Sequence, residues 1–483
     1  MAALLNGAAD CYAQGRLDDA ADLYRQAAAV DPNDLRPVYS LALIDIRRGR
    51  LENARQQLSV VAAQDPNFYP AQQNLGAVCQ NLNLWQEAAD AYRHALSLNP
   101  SPETHFSLAR ALTVLGRVAE SSDCYRALAA NPSVRLRALT RLATLDPAVI
   151  SEHDLTALRR AADDSATPAA ARIETYFALG SVLEQRGADQ AAFAAYQAGN
   201  RLKHEALMAL PNPAARPDAV ERAHDLAARF VQDQFDEAFL RSQLPRGSAS
   251  AGPIFVIGMP RSGSSLIEQI LSSHPLVQSM GESAALSTVV DRGFSEARRA
   301  ANWGELAEAY LSSMRQLGWH GADRFVDKSL ENHLRVGMIH LMFPKSVILD
   351  SARDPVDTCL SCYRQLFTDG NETLYDLAQI GRAYVRYRRV MEHWERVLPG
   401  RVIRVEHEKL VADPAGQIRR LVEDTCQLDW DPACLRFYET AGAVRTASAA
   451  QVRRPVFLTS IGRWARFADR LEPLLSALGP YAP

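Results

Sequence analysis

The residues best placed to do chemistry lie together in Ile254-Phe-Val-Ile-Gly-Met-Pro-Arg-Ser-Gly-Ser-Ser-Leu-Ile-Glu-Gln-Ile-Leu271. Residues 258–265 form a loop of mostly small side chains with one cation, Arg261, inside it. The run before it, 254–257, is β-branched and aromatic with no polar face, which predicts a buried strand. Residues 266–271 then carry apolar side chains at helical spacing. Strand, glycine loop and helix start in that order aim several backbone N–H groups at one point, and such a point attracts a phosphate or a sulfate. The nucleoside triphosphatase form of this loop needs Gly-x-x-x-x-Gly-Lys-Ser/Thr, with the Lys on the β and γ phosphates and the hydroxyl on magnesium. Gly258 and Gly263 have that separation, but Ser264 stands at the Lys position and the positive charge comes from Arg261. A magnesium-dependent kinase is disfavoured on that ground.

Met-Pro-Arg-Ser-Gly-Ser-Ser (259–265) resembles the 5′-phosphosulfate loop of sulfotransferases that use 3′-phosphoadenosine 5′-phosphosulfate (PAPS). The chain resembles the tyrosylprotein sulfotransferases and bacterial proteins that join such a domain to tetratricopeptide repeats. The resemblance implies that Arg261 and the backbone of Ser262, Gly263, Ser264, Ser265 and Leu266 cradle the 5′-phosphosulfate. It also carries over Glu282 in Ser-Met-Gly-Glu-Ser (279–283), which aligns with the family's catalytic base. A buried carboxylate of raised pKa is expected there, able to take a proton from an attacking hydroxyl. The tyrosine-specific members carry further charge just after this Glu, including a basic residue. This chain has Ser283 and Ala284, which argues against acidic tyrosine-containing peptides as acceptors.

Three more elements extend the resemblance. Phe325-Val-Asp-Lys-Ser-Leu-Glu-Asn332 is similar to the family's Asp-Lys-x-Pro-x-Asn element without its Pro, and implies that Lys328 meets the oxygen bridging phosphate and sulfate. The apolar run 346–349 leads into Ser351-Ala-Arg-Asp-Pro-Val-Asp-Thr-Cys-Leu-Ser361, which resembles the 3′-phosphate element, gripped by Arg353 and Ser361. Pro355 suits the first turn of a helix there, with Asp354 at its cap. Residues 444–456, followed by Gly462-Arg-Trp464, resemble the family's C-terminal cofactor lid. Ser448 matches a serine at the sulfuryl end, and Arg454 a basic residue near the nucleotide phosphates. His407 stands where relatives often have Tyr, so adenine-side contacts differ. Sulfate carries less charge than a phosphoryl group, so cationic side chains can do this work, and no metal is expected. Glu282 is then the base, with Arg261, Lys328 and Ser448 stabilising the transition state, and the product is adenosine 3′,5′-bisphosphate.

These residues must be positioned by a chain of 483 residues, too long for one core. Four segments repeat in register ahead of them, beginning at Gly15, Gly49, Asn83 and Gly116. Each is followed by a proline, Pro32, Pro66, Pro100 and Pro132, spaced 34, 34 and 32 residues apart. That period, with Ala20, Ala54 and Ala88 where neighbouring helices approach, resembles the tetratricopeptide repeat. The Gly or Asn sits in the turn between helices, where φ > 0 is cheap for it. A looser fifth unit spans 176–180 and 187–196, a helix is expected over about 218–241, and 245–253 reads as a linker.

Net charge is −3, without the basic footprint of a nucleic-acid binder. No apolar run reaches the ~18 residues of a membrane span, and Asp10 interrupts the start too early for a signal peptide. A soluble, cytoplasmic protein is expected. Seven cysteines give no disulfide framework, and Cys359-Leu-Ser-Cys362 has no second such pair to complete a zinc site.

The expected architecture is an all-α tetratricopeptide-like superhelix over 1–205, a helical linker over 206–252, and an α/β, P-loop-like sulfotransferase domain with a central parallel sheet over 253–483. The repeats offer a surface for a peptide, for the hydroxyl-bearing acceptor or for a second copy of the chain. The acceptor itself stays open among protein tyrosine, sugar and small-molecule hydroxyl. The rival is a nucleotide-binding repeat scaffold without turnover.

Overall fold

A computed structural model of the chain describes residues 1–243, 247–290, 302–320, 322–368, 370–439, 452–453 and 461–483. They form two compact units, Met1–Ile150 and one built from Ser151 onward. No helix among the described residues is long and apolar enough to cross a membrane.

The first unit is a row of antiparallel helix pairs: α1 (Ala2–Ala13) with α2 (Leu17–Val30), α3 (Leu35–Arg47) with α4 (Leu51–Gln64), α5 (Tyr69–Asn81) with α6 (Trp85–Leu98), and α7 (Pro102–Val114) with α8 (Val118–Ala129), followed by α9 (Arg135–Leu145). The repeat signature acts as its chemistry predicts. Gly15, Gly49, Asn83 and Gly116 all adopt positive φ, between 67° and 76°, in the turns within the pairs. Ala20, Ala54 and Ala88 are fully buried. The fourth repeat has Ser121 at this position. Its hydroxyl donates to Ala109 O at 2.8 Å, so the polar substitution is satisfied inside the stack.

The second unit begins with α10 (Glu152–Asp163), α11 (Ala169–Gln185) and α12 (Asp189–Met208). The pair α11–α12 is a true repeat unit. A Cβ on Gly180 would lie 2.6 Å from the Tyr196 ring, and one on Gly76 the same distance from the Tyr92 ring sixteen residues on. This pair packs against the α/β part of its own unit. Glu184, only 6% exposed, is ion-paired to Arg364 and to Arg463, the latter at 3.1 Å. Asn200 Nδ2 donates to Tyr363 O at 2.7 Å, and Phe193 packs on the rings of Tyr363 and Phe467.

The single helix expected over about 218–241 is two, α13 (Pro217–Gln234) and α14 (Glu237–Gln243). Phe235 breaks it: the residue is 1% exposed, in van der Waals contact with Trp394, while Asp236 accepts the Phe239 N–H to start the next helix. Burying one large ring outweighed a continuous backbone here.

Five parallel strands follow: β1 (Pro253–Gly258), β2 (Val277–Ser279), β3 (Arg324–Asp327), β4 (Val347–Ala352) and β5 (Ile403–Glu406), in the order β2-β3-β1-β4-β5. β1 lies between β3 and β4 and is buried along its whole length, which is why it reads as an unbroken apolar run. After β1 the chain crosses to one side of the sheet, and after β3 to the other. The order therefore reverses between β1 and β4, and in open parallel sheets ligands bind beyond the strand ends at such a point. Phe255, Tyr310 and Phe343 pack in one cluster, with ring centroids 5.6 to 6.2 Å apart.

Replacing Glu184 by Ala leaves the Arg364 and Arg463 guanidinium groups without their shared carboxylate. Loss of one partner from a buried ion pair costs on the order of 3 kcal/mol. We expect urea unfolding of Glu184→Ala, followed by circular dichroism, to show a loss of that order; an unchanged midpoint would mean that the pair contributes nothing to docking of α11–α12.

Candidate functional site

The loop after β1 is built from backbone geometry that few residues accept. Gly258 has φ +146°, and a Cβ there would meet Ser351 O of β4 at 2.8 Å. Arg261 (φ +68°) and Gly263 (φ +109°) bend the chain back before α15 (Ser264–Ser272) starts. A left-handed arginine costs on the order of 1–2 kcal/mol. The Ser262 N–H donates to Met259 O and the Leu266 N–H to Gly263 O, which closes the turn. Ser262, Ser264, Ser265 and Leu266 are all buried against the sheet.

This loop meets the end of β4. Arg261 Nε donates to Ser361 Oγ at 3.1 Å, and Arg353 Nη1 donates to Arg261 O at 3.4 Å. Arg353 Nη2 lies 3.9 Å from Asp357 Oδ2. The sequence placed Arg261 in one motif and Arg353 with Ser361 in another, and the fold brings the three together across the β1/β4 reversal. Burial lowers Arg261 to about 10, with Arg353 and Arg364 pushing the same way. Burial also lowers Arg353. Both remain cations at neutral pH, held close together out of water, and an anion between them relieves that repulsion. The buried hydroxyls of Ser262, Ser351 and Thr358 have no hydrogen-bond partner among the described residues and line one small cavity with Met259 and Arg353. Buried cations beside unsatisfied hydroxyl donors suit a phosphate group.

The second cluster stands at the end of β3, the strand on the other side of β1. Tyr310 OH donates to Asp327 Oδ2 at 2.8 Å, and Asp327 Oδ1 accepts the Ser329 N–H at 3.0 Å. Burial raises Asp327, while the hydrogen bonds from Ser329 and Tyr310 pull it back down. Between them lies Lys328, 1% exposed, whose ammonium donates to Glu282 Oε1 at 2.5 Å. Lys328 N–H also binds Gly281 O, and Ser329 Oγ bridges Ser283 N and O, so the Glu282 turn is fixed to the end of β3. The expectation of a buried carboxylate at Glu282 is corrected: its side chain is 61% exposed, because the turn carries it outward while Lys328 draws it back.

Two partners were missed in the sequence. Glu268, on the buried side of α15, lies 3.7 Å from Lys328 Nζ and accepts Ser279 Oγ at 2.6 Å. A carboxylate among Leu266, Ile267, Ile270 and Leu271 was the available signal. Asp357 holds Arg353 and also accepts the N–H groups of Gly462 and Trp464, at 2.7 and 3.1 Å. It was hidden inside what reads as an ordinary capped helix start, and Asp354 does cap that helix, Pro355–Tyr363, through the Asp357 N–H. Ser448 and Arg454 lie outside the described residues. Cys359 and Cys362 are free thiols; Cys362 donates to Pro260 O, and burial pushes it up to about 12, as befits a packing residue.

Residues 253–432 match the model of the sulfotransferase family, and residues 12–79 and 80–134 match tetratricopeptide repeat models. The chain joins tetratricopeptide repeats to a sulfotransferase domain. It is 28% identical over 466 residues to an uncharacterized protein of Aquifex aeolicus, covering 91% of this chain and 58% of that protein. It is 25% identical over 253 residues to protein-tyrosine sulfotransferase A of Caenorhabditis elegans, covering 47% of this chain and 66% of that one. A Drosophila melanogaster protein-tyrosine sulfotransferase is 25% identical over 270 residues, with 47% and 52% covered. The matches thus span between about half and two thirds of these relatives' own lengths. Among solved structures, the sulfotransferase domain from the curacin biosynthetic pathway aligns at 18% identity and a TM-score of 0.36, over 48% of this chain and 97% of that one.

His407 borders the loop of the sulfotransferase domain: a Cβ on Gly263 would lie 2.9 Å from its Nδ1. Burial, and then Arg353, hold its pKa down to about 4 from an ordinary 6.5. The folded ring is therefore neutral where the unfolded one is charged. Its contribution to stability is complete above pH 6.5 and is lost as pH falls from there towards 4. Asp327 and Asp350, raised by burial, act in the opposite sense, so the informative comparison is variant against wild type. We expect His407→Asn to remove about one proton of uptake on unfolding across that range, measured as the change in slope of unfolding free energy against pH between 7 and 4.5. An unchanged slope would mean that the folded ring is already charged.

Proposed function

We propose that the chain moves a sulfuryl group from PAPS to a hydroxyl acceptor, and that residues 253–483 hold this activity while the repeats of 1–205, those ahead of α11–α12 foremost, dock the acceptor or a partner. One observation carries the reading: two cationic clusters, Arg261–Ser361–Arg353 and Lys328–Glu282, stand at the ends of the adjacent strands β1, β4 and β3. On this reading Arg261 and the turn Ser262–Gly263–Ser264–Ser265–Leu266 hold the 5′-phosphosulfate. Arg353 and Ser361 hold the 3′-phosphate, and Arg454 assists near the phosphates. Glu282 accepts the acceptor's hydroxyl proton as the oxygen attacks sulfur. A new oxygen–sulfur bond forms, the bond from sulfur to the bridging oxygen breaks, and its electron pair stays on the phosphate, so adenosine 3′,5′-bisphosphate departs. Lys328 neutralises the charge growing on the bridging oxygen, while Arg261 and Ser448 stabilise the sulfuryl oxygens.

Exposure of Glu282 suits this role, since a base must reach an incoming hydroxyl. Cationic side chains supply the charge that magnesium supplies elsewhere, so the proposed reaction needs no metal. The acceptor carries a hydroxyl, and Ser283 and Ala284 beside the base favour one without an acidic flank. All seven cysteines are free thiols, which supports a reducing compartment such as the cytoplasm.

Calorimetric titration with adenosine 3′,5′-bisphosphate in the absence of magnesium tests the site. Wild type is expected to bind at micromolar levels. Arg261→Ala and Arg353→Ala should each lose about 10- to 150-fold, the equivalent of a charged hydrogen bond. Glu282→Gln should bind normally and lose about 100-fold or more in turnover. A folded wild type that does not bind overturns the reading, and binding without turnover of PAPS would leave a nucleotide-binding scaffold.

A further inference from the structure

Lys328 poses a problem that the proposed reaction does not solve by itself. The residue is 1% exposed, and its closest partner, Glu282 Oε1 at 2.5 Å, is the group assigned to accept a proton. Once Glu282 is protonated it no longer balances the ammonium. An enclosed ammonium left without a counter-ion is strongly destabilised and is no longer held in place. A displaced ammonium could not stabilise the bridging oxygen.

Glu268 removes the difficulty. Its side chain is only 9% exposed, against 61% for Glu282, and its Oε2 stands 3.7 Å from Lys328 Nζ. Its other oxygen accepts Ser279 Oγ at 2.6 Å, so it cannot swing away. Its negative field reaches beyond Lys328, since it also pushes up the pKa of Asp327. The three elements it joins are those the site needs in register. α15 carries it directly behind the loop of Arg261, Ser279 ends β2 just before the Glu282 turn, and Lys328 follows β3.

We propose that Glu268 is a positioning residue for sulfuryl transfer: the permanent counter-ion that balances the Lys328 ammonium and holds it in place while Glu282 is engaged with the acceptor's proton. The division of labour follows from exposure. The surface carboxylate does the proton chemistry, and the buried one serves as counter-ion. This inference rests on the function proposed above, and its test separates the two.

The direct readout is thermal unfolding of the full chain in a double-mutant cycle. Glu268→Gln and Glu282→Gln each leave Lys328 one carboxylate and are expected to cost little. The double variant strands a buried ammonium and should lose clearly more in Tm than the sum of the singles. Adding Lys328→Met to the double variant should recover most of that loss. The second readout is kinetic, with PAPS and water as the acceptor, followed by release of adenosine 3′,5′-bisphosphate. Glu268→Gln should lower kcat about tenfold or more with the donor KM and the calorimetric Kd for adenosine 3′,5′-bisphosphate within about twofold of wild type. Glu268→Asp and Ser279→Ala should give smaller losses of the same kind. A residue that merely packs the helix would give additive Tm losses, or a rise in donor KM, and either result overturns the role of Glu268. So does unchanged kcat in Glu268→Gln. If wild type itself fails to bind the bisphosphate, the proposed function falls and this inference falls with it.

Discussion

Positive charge held out of water is the constraint that organises the second unit. Lys328, Arg261 and Arg353 converge on the ends of three adjacent strands, and the first is almost wholly enclosed. A buried cation persists only if opposite charge or hydrogen-bond acceptors surround it, because its desolvation costs several kcal/mol. The surrounding elements are read most simply as suppliers of those partners. Glu268 comes from α15, Glu282 from the turn after β2, and Asp357 and Ser361 from the helix Pro355–Tyr363. Farther out, α11 supplies Glu184 to Arg364 and Arg463. Each cation thereby ties two or more elements that are distant in the chain.

The same constraint explains why the loop of Arg261 is built with glycines where it is. Gly258 passes within contact of Ser351 O, and Gly263 within contact of His407. Side chains at these points would separate β1 from β4 and the loop from β5. Arg261 and Arg353 would then be held apart. Close backbone approach is thus the geometric half of the charge arrangement, and the left-handed conformation of Arg261 is the strain it leaves behind.

What could be read from the sequence, and what could not, divides along the same line. The repeat turns at Gly15, Gly49, Asn83 and Gly116, and the strand–loop–helix at 254–271, were legible because backbone conformation and local spacing specify them. The positions of Arg261, Arg353 and Lys328 at strand ends followed from the same local signals. The partners did not. Nothing near Glu268 in the chain reveals that Lys328, sixty residues on, will share its side chain. The exposure of Glu282 depends on a turn fixed by Ser329, and the break at Phe235 depends on the ring of Trp394. Such features are set by long-range packing, which overrides a local helical pattern whenever it buries a large ring or pairs an enclosed charge.

That division bears on the helix pair α11–α12. Its sequence follows the repeat, down to the glycine–tyrosine contact that it shares with α5–α6. Its charged and aromatic side chains, however, are spent on the α/β part: Glu184 on Arg364 and Arg463, Asp189 on Arg466 at 2.8 Å, and Phe193 on Tyr363 and Phe467. A repeat unit whose faces are committed in this way no longer presents them to a passing ligand. It acts instead as a buttress for the helix Pro355–Tyr363, whose first turn carries Asp357 and whose far end carries Ser361. Arg261 meets Ser361 directly, so the placement of the loop cation depends on a helix that α11–α12 holds from behind. A helix pair that follows the repeat pattern thus serves as structural support for the charged strand ends of the sheet.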